Sequence, residues 1–295
     1  MKWIGMLDVQ HFACCAPCGH SSSIRRFFLA KLHMPLGLLL LLLSSGCAAP
    51  FAVNRLDPND AYQQSIRSAL GGDVPSNATL STLRRFGLLK LWKSNPEAAI
   101  GSLRSGVVRR PDLWREWFAL AELSYLQGKR DKSPAEYLAA AVYAYAFLDP
   151  GGTEDQPSPF DERFLQACDI YNLGLAWALT PPDQPPRPIV SASYELPFGH
   201  IVLMVDPNDL QWRGGTLTTF QTTADLAVKG LDNVYSSPGL GDPLAAQVER
   251  RPAPGQGLEI ASQLSVPTNL LMIIDHPRQQ AAQTELFGRL VIHTI

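Results

Sequence analysis

The sequence predicts an α+β protein with helices first and strands after them, because the hydrophobic period changes once along the chain. Between about Asn59 and Leu179, apolar residues recur at helical spacing. From residue 189 onward, short β-branched and aromatic runs are bounded by Gly, Pro, Asn and Asp, as is typical of strands. Between these regions lies TPPDQPPRP, residues 180–188, whose five prolines cannot continue a helix.

Five stretches of the first region predict helices. They are TLSTLRRFGLLKLWKS, SNPEAAIGSLRSGVV, PDLWREWFALAELSYLQGK, SPAEYLAAAVYAYAFL and PFDERFLQACDIYNLGLAWAL. In the second, Asn95 and Pro96 read as a cap and a first-turn proline. In the third, Gly128 and Lys129 read as a stop signal. The fourth is apolar almost all round and should therefore be the most buried helix.

Five later runs predict strands that form an antiparallel sandwich or an open barrel. They are IVSASYELPFG, HIVLMVDP, TLTTFQTTADLAV, SVPTNLLMIID and TELFGRLVIHTI. The predicted organisation is a helical domain at 47–180, a proline-rich linker at 181–188 and a β-rich domain at 189–295. We expect the two domains to pack separately on either side of the linker.

The stretch from Trp117 through Gly128 to Ala140 resembles a single tetratricopeptide unit, with Leu120 and Tyr137 near that pattern's positions. Repeat arrays need about three units to bury a continuous core. No second copy follows in register. Antiparallel helix pairs of no particular family are an equally good interpretation of the same residues.

Residues 1–46 have the three parts of a secretory signal peptide. Arg25, Arg26 and Lys31 precede an apolar run from Leu36 to Leu43, which is followed by small residues. The run is too short to cross a bilayer, which takes roughly 20 apolar residues. The segment is long for a signal, which suggests a start codon placed too far upstream.

Ser45-Gly46-Cys47 directly after the leucines resembles the lipobox of bacterial lipoproteins, although Ser44 stands where that family usually has leucine. The resemblance implies that Cys47 carries lipid and becomes the mature N-terminus, with stable anchoring through more than one acyl chain. Ala48 in place of aspartate then favours the outer membrane over the inner one. The alternatives are an ordinary secretory signal, or a core helix with a chance cysteine.

The segment HFACCAPCGH suggests a metal or redox site through Cys15 and Cys18, but no second pair of zinc ligands follows at suitable spacing. Cleavage before Cys47 would remove the segment entirely. The mature chain then holds one other cysteine, Cys168, so it forms no internal disulfide. We predict no metal and no cofactor.

Catalytic motifs are missing from the sequence: it contains no G-x-S-x-G, no glycine-rich phosphate loop and no H-E-x-x-H. The mature histidines are His200, His276 and His293. Asp275 beside His276 suggests an acid–base pair, but neighbours on a strand point to opposite faces, so a turn-capping role is favoured. Cys168, among apolar helical residues, reads as a small buried hydrophobe.

Several segments resemble the region between lipid anchor and hydrolase domain in bacterial α/β-hydrolase-fold lipoproteins. They are LAELSYLQGKRDKSPAEYLAAAVYAYAFL, ACDIYNLGLAWAL, SYELPFG, KGLDNVYSSPGLGDPL and IIDHPR. In that family the catalytic residues lie in the hydrolase domain, which is absent here, so no catalytic residue is carried over. The resemblance implies a fragment, a frameshifted gene product or a relative reduced to its accessory region.

Two functions fit these observations. The first is a non-catalytic lipoprotein of the bacterial envelope, anchored at Cys47 and facing the periplasm, which recognises a protein partner or supports a hydrolase. The alternative is part of an esterase-like hydrolase whose catalytic domain lies downstream. Near-neutral net charge, −2, and the lack of basic runs argue against nucleic acid as a partner.

Overall fold

The computed structural model describes residues 57, 68–110, 113–149, 151, 156–181, 184–213, 215–223, 239–250 and 265–294. In these ranges a layer of helices packs against one open β-sheet. The predicted α+β class is therefore confirmed.

The described residues form seven helices. They are α1 Asn77–Arg85, α2 Leu89–Ser94, α3 Pro96–Val108, α4 Glu116–Asp131, α5 Pro134–Leu148, α6 Glu162–Leu179 and α7 Pro277–Ala281. Four begin at a side chain that accepts a backbone N–H of the first turn, namely Ser76, Asn95, Ser133 and Asp161. The cap and first-turn proline predicted at Asn95 and Pro96 are confirmed.

Two helix boundaries differ from the prediction. The first predicted helix is two helices, α1 and α2, separated around Gly87. Helix α4 continues past Gly128 and ends at Asp131, before Lys132 in the left-handed conformation. Gly128 serves packing instead, because a Cβ there would lie 2.9 Å from the ring of Tyr137 on α5.

Helices α4, α5 and α6 run antiparallel to their neighbours. Early α4 residues contact late α5 residues, as in the ring pair Trp117–Tyr143, and late α4 contacts early α5 through Tyr125–Tyr137. Helix α5 is buried from Leu138 to Leu148, as predicted for the most apolar stretch. The stretch resembling a tetratricopeptide unit is thus an antiparallel helix pair, and its second helix packs on α6.

The ranges described above contain seven strands, which form one sheet in the order β1-β2-β7-β6-β5-β4-β3. They are β1 Ala192–Leu196, β2 Gly199–Val205, β3 Gln211–Trp212, β4 Gly215–Thr222, β5 Asp242–Arg250, β6 Ser265–Ile273 and β7 Glu285–Thr294. Strands β2 and β7 pair in parallel and the other neighbours pair antiparallel. The predicted antiparallel pairing holds for five of the six neighbouring pairs, and the sheet of the described residues is open. It does not form a sandwich, because the helices cover the face that a second sheet would cover.

Strand β5 was not predicted from its sequence. DPLAAQVER contains alanine, glutamine, glutamate and arginine, and it is poor in the β-branched and aromatic residues that mark strands. It nevertheless forms a strand, because β4 and β6 on either side provide backbone hydrogen-bond partners. Tertiary pairing here outweighs the low strand propensity of the sequence.

Tyr171 on α6 completes the backbone hydrogen bonding of the sheet where β5 begins. Its hydroxyl donates to the Met272 carbonyl and accepts from the Met272 N–H, both at 2.7 Å. The β5–β6 ladder starts at Asp242 opposite Leu270, so Met272 has no β5 residue in register. A buried side chain thus satisfies two main-chain groups that would otherwise be costly to bury.

The proline-rich segment is packed against both layers. The main chain of Arg187 pairs with Phe220 on β4, and the Arg187 side chain donates to the carbonyls of Leu179 and Ala178 at the end of α6. Ile189 is buried in the same cluster as the helices and the sheet. Leu56–Ile295 is accordingly one compact unit with a shared core, in place of the two separately packed domains predicted on either side of 181–188.

Helix α4 holds the segment that precedes α1. Glu122 is fully buried, and its Oε1 accepts the backbone N–H groups of Ala69 and Ser76, both at 3.0 Å. The Ser76 hydroxyl donates to Oε2 at 2.7 Å. Further along α4, Lys129 donates to the Gly72 carbonyl at 2.9 Å. The segment before α1 therefore depends chiefly on one buried carboxylate.

Candidate functional site

The predicted lipidation site, Cys47, lies outside the described residues, as do the cysteines and histidines of residues 11–20. Lipidation at Cys47 therefore stays a prediction. Among the residues that the structure describes, no helix is both long enough and apolar enough to cross a membrane.

The fold separates two of the three histidines. The Nε2 atom of His200 on β2 lies 3.4 Å from Oε1 of Glu285, at the start of β7. His293 lies near the opposite end of β7, where it pairs with Asn269. At about 3.4 Å per residue, the β7 main chain covers roughly 27 Å between these two positions. His200 and His293 therefore do not form one site.

Asp275 and His276 lie in a turn and not on a strand, because β6 ends at Ile273. His276 has φ +49° and precedes α7. Both residues line a cleft of about 380 Å³, together with Tyr145, Asp149, Gly151, Ile273 and Ile274. The argument from opposite strand faces consequently does not apply to this pair, and the cleft is the strongest candidate for chemistry.

The hydrogen bonds in this cleft give it no activated nucleophile among the described residues. The Tyr145 hydroxyl donates to Oδ2 of Asp149 at 3.3 Å, and the Gly151 N–H donates to Oδ1 at 2.9 Å. Burial, and then the negative charges of Asp149 and Asp275, raise the pKa of Tyr145 to about 12. Tyr145 therefore stays protonated at neutral pH, and the described lining includes no serine, threonine or cysteine.

Cys168 is a buried core residue, as predicted. Its side chain lies within the helical part of the hydrophobic cluster. Burial, and then the nearby charge of Asp169, raise the pKa of the thiol to about 11. A thiol that stays protonated is a poor nucleophile and a poor metal ligand. No cluster of three or more potential metal ligands occurs in the part of the chain that the structure describes.

The sheet has one face toward the helices and one face away from them. Buried strand residues, such as Leu203, Leu270 and Leu290, share one hydrophobic cluster with the helices. We call the opposite side the outer face. Its residues are those that alternate with the buried ones along each strand.

The outer face has an apolar half and a polar half. The apolar half covers β2, β7 and β6, where Val202, Met204, Phe287, Val291, Leu271 and Ile273 surround the exposed Arg289. The polar half covers β6, β5 and β4 and includes Asn269, Ser265, Gln247, Gln221 and Thr219. Met204 is 62% exposed and Phe287 is 54% exposed. Large apolar side chains exposed next to one another mark interaction surfaces more often than scattered ones do.

The sequence carries a signal for this surface. A strand with one solvated face should alternate apolar and polar residues, yet ELFGRLVIHT places Phe287 and Val291 on the side opposite Leu286 and Leu290. Apolar residues in both alternating positions indicate a strand that is covered on both faces. Without the strand order, the same run is also consistent with a strand buried in a sandwich.

The segments that carry the resemblance to hydrolase-associated lipoproteins have structural roles. Asn172 donates to the Gly239 carbonyl at 2.8 Å and accepts the Gly241 N–H at 2.7 Å, which joins α6 to the chain entering β5. Phe198 stacks on Tyr143, with ring centroids 5.2 Å apart. These contacts give those residues a role in packing and assign them no role in catalysis.

Comparison of the chain with known protein families, with curated proteins and with solved structures gives no match.

Proposed function

We propose that the chain is a non-catalytic lipoprotein of the bacterial cell envelope that binds a protein partner through the apolar half of the outer face. It is anchored at Cys47, faces the periplasm from the outer membrane, and is related to the accessory region of α/β-hydrolase-fold lipoproteins. The observation that carries the binding role is the exposure of Met204 and Phe287 on a sheet whose other face is already packed.

The apolar half has the composition of an interface centre. Val202 lies directly opposite Phe287, and Leu271 lies opposite Val291, so apolar pairs on neighbouring strands lie on either side of Arg289, which Met204 and Ile273 flank. Interface centres are poor in charge and rich in large apolar and aromatic side chains, with a polar rim. His200, Glu285 and His293 are at the ends of this patch and supply such a rim.

The non-catalytic role is supported by the described cleft at Tyr145. Serine-type hydrolysis needs a nucleophile, a base that takes its proton and donors for the oxyanion. The cleft supplies a protonated tyrosine, two carboxylates and one imidazole. The Tyr145 hydroxyl already donates a hydrogen bond to Asp149, so its proton is engaged by another residue of the same cleft.

The binding role predicts that the outer face is covered in native membranes. In the full-length Phe287→Cys variant, the new thiol should react slowly with a bulky maleimide in membranes. Its rate there should be at least about fivefold lower than after detergent extraction and dilution. The reason is that a bound partner shields the residue, whereas the free sheet leaves Phe287 more than half exposed.

The matched control is Phe160→Cys, because Phe160 is 98% exposed and lies just before α6, on no strand. Cysteine at residue 160 should react equally fast in both conditions. Equal rates at residue 287 in membranes and in the dilute extract would mean that nothing covers the outer face, and the proposed function would be abandoned.

A further inference from the structure

We propose that the partner on the outer face is a second copy of this chain, bound by a twofold-symmetric stack of the two sheets centred on Phe287. This inference rests on the proposed function, because it names the partner of the same surface. The charges that flank Phe287 on β7 carry it.

The outward residues of β7 form a row that includes an aromatic ring with a negatively charged side chain on one side and a positively charged side chain on the other. Glu285, Phe287 and Arg289 alternate with the buried Leu286 and Leu290 and are all exposed. Successive members of the row are about 7 Å apart, since a strand rises about 3.4 Å per residue. Within one chain, Glu285 and Arg289 are therefore separated by roughly 14 Å, too far for a direct ion pair.

A twofold axis makes this row complementary in charge to the same row of a second copy. If the axis lies between the two sheets and crosses β7 at right angles at Phe287, the two β7 strands run antiparallel. Phe287 then faces Phe287 of the second copy, and Glu285 faces Arg289 of the second copy. The symmetry repeats the ion pair on the other side of the axis, as an isologous interface requires. An axis parallel to β7 would instead place like charges opposite each other.

The neighbouring strands fit this arrangement. Val202 on β2 lies level with Phe287, so it also lies close to the axis and adds apolar surface at the centre. Met204 and Ile273 lie on either side of Arg289 in register, so their apolar side chains flank the guanidinium. Ion pairs flanked by apolar surface are less screened than fully exposed ones and contribute to orientation more than to affinity.

The present contact of Glu285 is compatible with the new ion pair. His200 approaches Oε1 of Glu285 at 3.4 Å, and the Glu285 side chain is 58% exposed. Exposed pairs of this kind are weak and are readily exchanged for other partners. The carboxylate therefore remains accessible to a guanidinium from the second copy.

Cross-linking of the full-length chain in membranes tests the pairing of identical residues. The Phe287→Cys variant, treated with a short bis-maleimide, should give a covalent dimer of twice the chain mass, because residue 287 lies next to its own copy at the axis. Phe160→Cys should give at least about tenfold less dimer. The comparison with Phe160→Cys corrects for background from the native cysteines, of which Cys168 is buried and has a pKa raised by burial.

Charge exchange tests the orientation. In the Phe287→Cys background, Glu285→Arg and Arg289→Glu should each reduce the dimer about tenfold, because each places like charges together twice. The double variant Glu285→Arg/Arg289→Glu should restore it to within about twofold, and so should co-expression of the two single variants. Lys90→Glu, an exposed reversal on α2, should leave the dimer unchanged.

The outcomes separate this inference from the proposed function. If residue 287 is protected in membranes but cross-links to a protein of another mass, the second copy is excluded and the binding role stands. If residue 287 is unprotected and gives no product, both are wrong. If a dimer forms but the double variant does not restore it, the antiparallel twofold arrangement is wrong. Far-ultraviolet circular dichroism of each purified variant confirms that folding is unchanged.

Discussion

Replacing Glu122 by alanine is expected to lower the free energy of unfolding by about 4 kcal/mol. The substitution removes the acceptor of two buried backbone N–H groups, those of Ala69 and Ser76, and of the Ser76 hydroxyl. Each buried donor left without a partner costs about 1–3 kcal/mol. Denaturant unfolding of the purified chain measures the loss as a lower midpoint at unchanged slope.

Glu122→Gln is the matched control. Both N–H groups donate to Oε1, which glutamine keeps, and the new amide can donate to the Ser76 hydroxyl. Burial raises the pKa of Glu122, which disfavours the charged carboxylate, so the neutral amide should be tolerated. A glutamine variant as unstable as the alanine variant would show that the negative charge, and not the hydrogen bonding, is what the fold requires.

The second large effect is expected at Gly174, where α6 crosses α5. A Cβ at this position would lie 2.7 Å from the main-chain carbonyl oxygen of Tyr137 and 3.2 Å from the Ala141 Cβ. Because the obstacle is backbone, Gly174→Val must move one helix away from the other. We expect a loss of about 3 kcal/mol in the free energy of unfolding.

Gly101→Val controls for helix propensity, because Gly101 lies within α3 and a Cβ there would meet no described atom within 4 Å beyond its own helix backbone. This variant should unfold with unchanged or slightly higher stability, since valine is a better helix former than glycine. Thermal unfolding of the two variants side by side measures the difference. Equal stability of Gly174→Val and the parent chain would mean that α5 and α6 do not approach as closely as described.

The helical part of the fold was predictable because its signals are local. Cap residues such as Asn95 and Ser133 mark helix starts, and the apolar run of α5 indicates its burial. The interpretation of Gly128 as a helix end was wrong because the same residue type serves both helix ends and close helix packing. Only the position of Tyr137 on the next helix distinguishes the two.

The sheet was less predictable because its arrangement depends on distant pairs. The parallel pairing of β2 with β7 joins residues far apart in the chain, such as His200 and Glu285. Periodicity predicts that each run is a strand, but not which strand lies beside it. The outer face follows from that order, since Val202 and Phe287 become neighbours only through it.

The cleft was unpredictable for the same reason. Tyr145 and His276 meet there only through the packing of α5 beside the end of β6. The sequence places Asp275 next to His276 but does not show that the strand ends before them. The predicted role of this pair therefore depended on a strand boundary that local residues do not define.

The claim that the chain is an envelope lipoprotein is tested most directly by the mass of its N-terminal peptide. The full-length chain is produced in a bacterium, its membrane fraction is digested, and the peptide that contains Cys47 is analysed by mass spectrometry. We predict a peptide that begins at Cys47 and carries a diacylglyceryl group and an N-acyl chain, and we predict its loss, together with membrane partition, in Cys47→Ser. An unmodified Cys47 within a longer N-terminal peptide, or a Cys47→Ser variant with unchanged processing and membrane partition, would contradict the account.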